Sequence, residues 1–328
     1  MRLHEALQRR VAPLVSPLVG YPGARLTGTT VRENVFDAAI HTNTIRQLWE
    51  EYQYDIVFPM MDLAVEAGAL GLRVRYPENE SPTVEEHPVA MEADLERFRD
   101  VDVLSDARLQ SFLETIRRLK STVDAVHGAY VVGPFTLAGL MMGASAIARA
   151  TIRCPEQVRR LVDFTTNVVR TYAEACQSAG AELIVFLEPT AVMLSPKSFM
   201  EFSGDAIFQL AYGSKVWTVL HICGDTERLI PAMCRTGVDA LSLDSAVDLP
   251  AIALTVPSEV VLIGNVDPVT VMGSSDPRRV SNAVRELCKG MSRHPRFILS
   301  TGCDLPLETP LANVTAFMSP NDPIEKMS

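Results

Sequence analysis

The feature of this 328-residue sequence that most constrains its fold is an alternation of short apolar runs with longer amphipathic segments, which begins at residue 55. Each apolar run ends in polar residues, glycine or proline, and the segment after it has the apolar spacing of a helix. This pattern predicts parallel strands joined by crossover helices. The seven predicted strands are Asp55–Met60, Ala129–Phe135, Leu183–Pro189, Val216–Gly224, Ala240–Asp244, Val260–Val266 and Phe297–Cys303.

Helices are predicted most clearly in the second half of the chain. Pro155 and Pro277 suit a first helical turn, where the missing N–H of proline is no loss. Gly180 and Gly237 suit the residue that follows a helix. The clearest predicted helices are Pro155–Gly180, Pro196–Tyr212, Thr226–Thr236 and Pro277–Met291.

Seven or eight βα units in one chain favour a (β/α)8 TIM barrel, an α/β fold, over a doubly wound sheet. No Gly-x-Gly-x-x-Gly follows a strand to support a dinucleotide-binding fold. The segment Leu70–Tyr76 is either a hairpin or the missing eighth strand. Residues 1–52 are predicted to form a helical extension packed on the barrel, with helices at Leu3–Val11 and Val31–Tyr52. We find no linker or internal repeat, so residues 1–328 are predicted to form a single domain.

Composition narrows the classes of partner. The net charge of −10 argues against a nucleic-acid surface.

The N-terminus lacks the apolar core of a signal peptide, and no apolar run reaches the roughly 18–20 residues that span a bilayer. Six widely scattered cysteines favour free thiols in a reducing compartment, so we expect a cytoplasmic protein. Four of them are expected to be small buried hydrophobic residues: Cys154, Cys176, Cys234 and Cys288.

A candidate metal site lies at the end of the Val216–Gly224 strand. His221 and Cys223 are two residues apart, so their side chains project from the same face of the strand. An imidazole and a thiolate are natural zinc ligands, and Cys303, at the end of another predicted strand, is the best candidate for a third. Functional residues of a barrel collect at the C-terminal strand ends, where all three lie. Such a Cys2His set leaves a fourth position open, as in catalytic zinc sites.

Other polar residues also close predicted strands. Glu188, Asp244 and Asn265 each stand at such an end, and we take them as candidate catalytic residues on that account. An acid at a strand end can equally cap a helix or anchor a loop. Asn265 and Asp267, which precede Pro268, can simply form a turn.

Three motifs of the sequence resemble those of the uroporphyrinogen decarboxylase superfamily: His-Ile-Cys-Gly-Asp-Thr (221–226), Gly-Asn-Val-Asp-Pro (264–268) and Ser-Thr-Gly-Cys-Asp-Leu-Pro (300–306). Within it, the sequence is similar to the corrinoid-dependent methyltransferase branch, which includes methylcobamide:coenzyme M methyltransferases and related O-demethylase methyltransferases. Segments 133–137 and 308–314 fit the same pattern, and the resemblance runs from about residue 30 to 318. The His-x-Cys with a distant Cys is its specific part.

The resemblance implies a (β/α)8 barrel, zinc held by His221, Cys223 and Cys303, and a corrinoid (cobalamin) carried by a partner protein that docks over the barrel mouth. Asp244 matches an acidic residue that can take the fourth zinc position when substrate is absent. Glu188 matches an acid on the substrate side.

The resemblance therefore predicts a zinc-dependent methyltransferase of the EC 2.1.1 class. The methyl group can move from the corrinoid to a small thiol such as coenzyme M, or to the corrinoid from a methyl donor such as an aryl methyl ether. A decarboxylase without metal is one alternative, but the Arg-Gln-Ala-Gly-Arg-like motif of true decarboxylases is absent, and Arg25, Arg32 and Arg46 are isolated. A non-catalytic module that binds a corrinoid protein is another.

Overall fold

Eight parallel strands form a nearly closed barrel in the computed structural model, which describes residues 13–319. Their order around the barrel is β1 (Leu14–Val15), β10 (Phe297–Thr301), β9 (Val261–Val266), β8 (Ala240–Leu243), β7 (Trp217–Ile222), β6 (Leu183–Leu187), β5 (Val126–Val132) and β2 (Ile56–Val57). The gap between β1 and β2 is bridged by the Asp55 N–H, which donates to the Val15 carbonyl at 2.8 Å. The predicted barrel fold is thereby confirmed. Outside the barrel, β3 (Val74–Arg75) and β4 (Thr83–Val84) form an antiparallel hairpin.

Helices follow the strands and pack on the outside of the barrel. The longest, Pro155–Ala179, begins at its proline and is followed by Gly180, as the sequence predicts. The α-helices are α1 Gly20–Thr27, α2 Val31–Phe36, α3 Ala38–Tyr52, α4 Val65–Ala69, α5 Ala107–Thr122, α6 Pro134–Met142, α7 Ala144–Arg153, α8 Pro155–Ala179, α9 Pro196–Phe199, α10 Asp205–Gly213, α11 Ile230–Met233, α12 Leu249–Ile252, α13 Pro277–Gly290 and α14 Leu311–Met318. A π-helical turn, Met200–Gly204, joins α9 to α10, and 3₁₀ turns form at Glu92–Phe98, Val103–Ser105, Pro189–Met193, Glu227–Leu229 and Cys234–Thr236.

The eighth barrel strand is Leu14–Val15, which the sequence does not reveal. It is only two residues long and lies between prolines, which are signals of a break in regular structure. The segment Leu70–Tyr76 instead contributes β3 of the hairpin. The prediction that residues 1–52 form only a helical extension is therefore wrong for β1, and α1 was missed as well. The predicted helix Leu3–Val11 lies outside the described residues.

Several predicted boundaries also differ from the structure. The run Ala129–Phe135 reads as one apolar strand, but β5 ends at Val132 and α6 begins at Pro134. The predicted helix Val31–Tyr52 is divided at Asp37, whose carboxylate accepts the N–H groups of the first turn of α3. The predicted helix Thr226–Thr236 is three short turns rather than one helix.

The core has two layers, one inside the barrel and one between the barrel and the helices. Alternate strand residues such as Val185, Val219 and Ile263 point inward and form the inner layer. Their neighbours point outward and pack against the apolar faces of the helices. Between residues 13 and 319, no single helix is long and apolar enough to cross a membrane; α6 and α7 reach that length only together, across a bend of 105°.

Candidate metal centre

His221, Cys223 and Cys303 come together at the C-terminal end of the barrel. His221 Nε2 lies 3.0 Å from Cys223 Sγ and 3.8 Å from Cys303 Sγ, and the two sulfurs are 3.4 Å apart. His221 is the last but one residue of β7, Cys223 follows that strand, and Cys303 follows β10 by two residues. Gly302 lets this last loop approach the loop after β8, since a Cβ there would lie 2.5 Å from the Ser245 nitrogen.

The donor set and its spacing suit a single zinc ion. Zinc makes bonds of roughly 2.0–2.3 Å to nitrogen and sulfur, and tetrahedral angles then set its ligand atoms about 3.6–3.8 Å apart. The three observed separations, 3.0, 3.4 and 3.8 Å, lie close to these values. Among the described residues, no other group of three or more His, Cys, Asp or Glu side chains is gathered tightly enough to hold a metal.

Ser242 fixes the orientation of His221. Strand register sets the two residues side by side on β7 and β8, and His221 Nδ1 lies 3.0 Å from Ser242 Oγ. When Nδ1–H donates to this hydroxyl, Nε2 presents its lone pair to the two sulfurs. A second partner of this kind fixes the tautomer of metal-binding histidines.

The two thiols influence each other because they lie close together and are shielded from water. The hydrogen bond between them lowers the pKa of Cys303, and the contact with His221 lowers it further. The same hydrogen bond raises the pKa of Cys223, and burial adds to that rise. A metal cation bound here would favour loss of the proton from both thiols.

Asp244 lies near the centre but is anchored to its own loop. Its Oδ1 accepts the Ala246 N–H at 2.9 Å and the Ser245 hydroxyl at 3.3 Å. These bonds agree with the alternative that an acid at a strand end anchors its loop. Its charge contributes to the raised pKa of Cys223, so it is close enough to sense the cluster. Its carboxylate is not within the group of three gathered ligand atoms, and its role as a fourth ligand stays a prediction.

Asn265 joins two loops at the mouth. Its amide nitrogen donates to the carbonyls of Asp244 and Val247, at 2.9 and 2.7 Å. These bonds tie β9 to the loop after β8. The amide thereby supports the loop that carries Asp244, and a catalytic role for Asn265 stays a prediction.

Glu188 is fully buried and caps a helix. Its carboxylate accepts the N–H groups of Phe135 and Thr136, at 2.9 and 2.7 Å, and the Ser203 hydroxyl at 2.8 Å. Those N–H groups belong to the first turn of α6, whose unpaired donors attract a negative group. Burial raises the pKa of Glu188, and the hydrogen bonds oppose the rise. The structure does not bring Glu188 into the cluster of metal ligands.

Three residues near the centre were not predicted as site residues. Ser242 had no signal in the sequence, since only strand register places it beside His221. Tyr130, on β5, lies near enough to Asp304 and Cys303 for their charges to help raise its pKa, although burial is the larger cause. Asp304 follows Cys303 directly, and its Oδ2 is buried without a hydrogen-bond partner. Its position next to Cys303, within the 300–306 motif, is the sequence signal by which it could have been predicted as a site residue.

The chain also matches a known protein family over nearly its whole length. The model of the uroporphyrinogen decarboxylase (URO-D) family matches residues 18–320, so the chain belongs to this family.

Methyltransferases of Methanosarcina species are among the most similar relatives. A methylated-thiol–coenzyme M methyltransferase of Methanosarcina mazei is 26% identical over 288 residues, which cover 86% of this chain and 76% of the relative. The methylcobamide:CoM methyltransferase MtbA of Methanosarcina acetivorans is 28% identical over 277 residues, covering 80% and 77%. A solved methyltransferase from Methanosarcina mazei has the same fold, with a TM-score of 0.88 at 23% identity over 97% of this chain and 96% of that one. Uroporphyrinogen decarboxylases are also similar.

The predicted superfamily is confirmed by the family match. The predicted enzyme class, a methyltransferase of the corrinoid-dependent branch, is confirmed by the relatives, whose names describe methyl transfer. Zinc, the small substrate and the direction of transfer are finer predictions, which are taken up next.

Proposed function

We propose that this protein transfers a methyl group from a corrinoid, carried by a partner protein, to a small thiol activated at a zinc ion. The observation that supports this most strongly is the convergence of one imidazole nitrogen and two sulfurs within 3.8 Å of one another. Two relatives whose names include coenzyme M, a thiol, support the same direction.

His221, Cys223 and Cys303 would hold the zinc, and Ser242 would keep the imidazole in the tautomer that binds metal. Zinc held in this way would lower the pKa of a bound thiol, so that its thiolate form prevails at neutral pH. The corrinoid, when bound, would supply the methyl group: the thiolate would form the carbon–sulfur bond as the carbon–cobalt bond broke, with both electrons of that bond remaining on cobalt.

Surroundings that keep thiols reduced suit this chemistry. All six cysteines are free, and two of them are the proposed ligands. Thiols of this kind persist in reducing compartments, so a cytoplasmic location is part of the proposal.

Zinc analysis of the purified protein tests the metal. We expect about one zinc per chain, as for a site with three protein ligands. Cys303→Ala should lose most of it on dialysis, whereas Cys288→Ala, which removes a half-buried thiol on α13, should retain it. Protein purified without chelators and lacking stoichiometric zinc would contradict the proposal and favour a metal-free decarboxylase.

Cobalt absorption tests the transfer. Methylcobalamin and a thiol are mixed with the zinc-loaded protein, and loss of the methylcobalt spectrum is followed. We expect demethylation that depends on the thiol and that is abolished by Cys303→Ala but not by Cys288→Ala. A non-catalytic corrinoid-binding module predicts no transfer with either the wild type or Cys288→Ala.

A further inference from the structure

The third proposed ligand, Cys303, comes from a strand that is not adjacent to the strand of the other two. In the order of the barrel, β8 and β9 lie between β7, which carries His221, and β10, which Cys303 follows. Neighbouring parallel strands are about 4.8 Å apart, yet the sulfurs of Cys223 and Cys303 are 3.4 Å apart. The segment after β10 must therefore reach across the ends of β9 and β8, and the mouth of the barrel must hold it there.

The loop after β8, residues 244–247, supports that segment. Gly302 stands directly before Cys303, and its N–H donates to the Val266 carbonyl of β9 at 2.8 Å. Its Cα lies so close to the loop 244–247 that a Cβ there would be 2.5 Å from the Ser245 nitrogen and 3.1 Å from the Ser245 Cβ. The position of Cys303 thus depends on where this loop lies.

The side chain of Asn265 holds the loop 244–247 in place. Its Nδ2 donates to the carbonyls of Asp244 and Val247, at 2.9 and 2.7 Å. Asn265 is only 9% exposed, so water does not readily replace these bonds, and a buried carbonyl left unpaired is destabilising. The loop also has a bond of its own, from the Val247 N–H to the Asp244 carbonyl at 3.1 Å. That bond closes the turn, whereas the Asn265 amide joins the turn to β9.

From these contacts we propose that Asn265 is a positioning residue. By holding the loop 244–247, it keeps Gly302 and Cys303 across the mouth of the barrel and beside Cys223. Asn265 acts through the loop and not on the substrate. The inference adds to the proposed function, because that function needs both sulfurs on one ion, but it concerns the thiol pair itself and can be tested without metal.

Phenylarsine oxide tests the thiol pair in the metal-free protein. It binds firmly only where two thiols lie side by side, because it forms two arsenic–sulfur bonds and releases water. Its binding is measured in competition with a free dithiol, and Cys303→Ala sets the baseline. We expect Asn265→Ala to weaken binding by on the order of tenfold relative to the wild type, since the second thiol is no longer held beside the first.

Co²⁺ substituted for zinc gives a second readout. Its thiolate charge-transfer absorbance increases with each thiolate ligand. Asn265→Ala, titrated with Co²⁺, should reach about half of the wild-type absorbance, as expected when one of two thiolates is missing from the Cys2His set. Cys303→Ala should show the same reduction.

Asn313 offers a matched control. It too is buried, and its Nδ2 donates to two backbone carbonyls, those of Met272 and Ser274, at 2.7 and 2.6 Å. Neither carbonyl belongs to a loop that carries a proposed ligand. Asn313→Ala should lower Tm much as Asn265→Ala does, but leave the arsenical binding and the Co²⁺ spectrum as in the wild type. If Asn265→Ala does not fold, Asn265→Ser, whose hydroxyl keeps one donor at the site, takes its place with a smaller expected loss.

The outcomes separate this inference from the proposed function. Wild-type arsenical binding and a wild-type Co²⁺ spectrum in a destabilised Asn265→Ala would overturn the inference and make Asn265 a purely structural residue. Wild-type protein that binds the arsenical no better than Cys303→Ala would overturn it too, because the sulfurs would then not be adjacent. Wild-type protein that binds the arsenical but no zinc would contradict the proposed function and leave the inference standing. Loss of both signals in Asn265→Ala but not in Asn313→Ala supports the inference.

Discussion

Replacing Glu188 by glutamine distinguishes a helix cap from a catalytic acid. The carboxylate accepts three hydrogen bonds, from Phe135 N–H, Thr136 N–H and the Ser203 hydroxyl. Glutamine has one acceptor oxygen. If that oxygen takes the place of Oε1, it keeps the bonds from the Phe135 N–H and the Ser203 hydroxyl. The amide NH2 then faces the Thr136 N–H, and because both groups are donors this hydrogen bond is lost.

The expected loss of stability follows from that count. One hydrogen bond to a charged group contributes about 1.5–3 kcal/mol, and a buried donor left unpaired adds to the loss. The removed charge also stabilised the first turn of α6 by roughly 0.3–1 kcal/mol. We expect Glu188→Gln to lower the free energy of unfolding by about 2–4 kcal/mol, allowing for relaxation.

Urea unfolding near neutral pH measures that loss, and kcat of the folded protein is measured in parallel. Glu201→Gln is the matched control: Glu201 is partly exposed and paired with Arg159, so its loss should change stability by less than about 1 kcal/mol. Glu188→Gln should retain kcat within severalfold. Wild-type stability together with a kcat reduced by orders of magnitude would refute the capping interpretation and make Glu188 a catalytic group.

Three further predictions concern the metal centre, the helix cap and the pH dependence of stability. Ser242→Ala should weaken zinc binding by about 10–100-fold in a chelator competition, because it removes the partner of His221 Nδ1; Ser300→Ala, another buried serine of the barrel wall, should not. Gly133→Ala should destabilise the fold in thermal unfolding, since its Cβ would lie 2.3 Å from Glu188 Oε2; an unchanged Tm would show that the cap can shift. Burial raises the pKa of Glu66 to about 8, above its value in the unfolded chain, so its protonated form favours the folded state. That stability is present below pH 4.5 and is lost as pH rises toward 8. Urea unfolding at pH 5 and pH 8 should therefore show a smaller decrease for Glu66→Gln than for the wild type, and equal decreases would contradict the assignment.

The parts of the fold that were predictable are those with a strong periodic pattern. Strands β6 to β10 are continuous apolar runs with polar residues at their ends, and each was located within a residue or two. Strand β1 was not, because two residues between prolines have no period of their own and are ordered by β10, which lies far away in sequence. The end of β5 was missed for a different reason: Pro134 and Phe135 continue the apolar run while the backbone already turns into α6.

The candidate ligands could be predicted because each lies at the end of a recognisable strand. Their supporting partners could not. Ser242 is one serine in an apolar strand, and its role exists only through the register of β8 on β7. Glu188 stands at a strand end just as the ligands do, but its environment depends on where the N-terminus of α6 packs. The sequence places a residue at the mouth of the barrel; whether it faces the cavity or a neighbouring helix is decided by packing.

The short strand β1 has a consequence for the order in which the metal site can be completed during synthesis. It pairs with β10, and Leu18 beside it accepts the Leu305 N–H and donates to the Thr301 hydroxyl, so the first described strand anchors the last. At roughly 5–20 residues per second, a ribosome needs about 4–16 s to proceed from Cys223 to Cys303. A nascent chain therefore presents His221 and Cys223 before Cys303. If the cluster holds zinc as proposed, firm retention of the ion would await the arrival of β10, and the bound ion would mark a finished barrel.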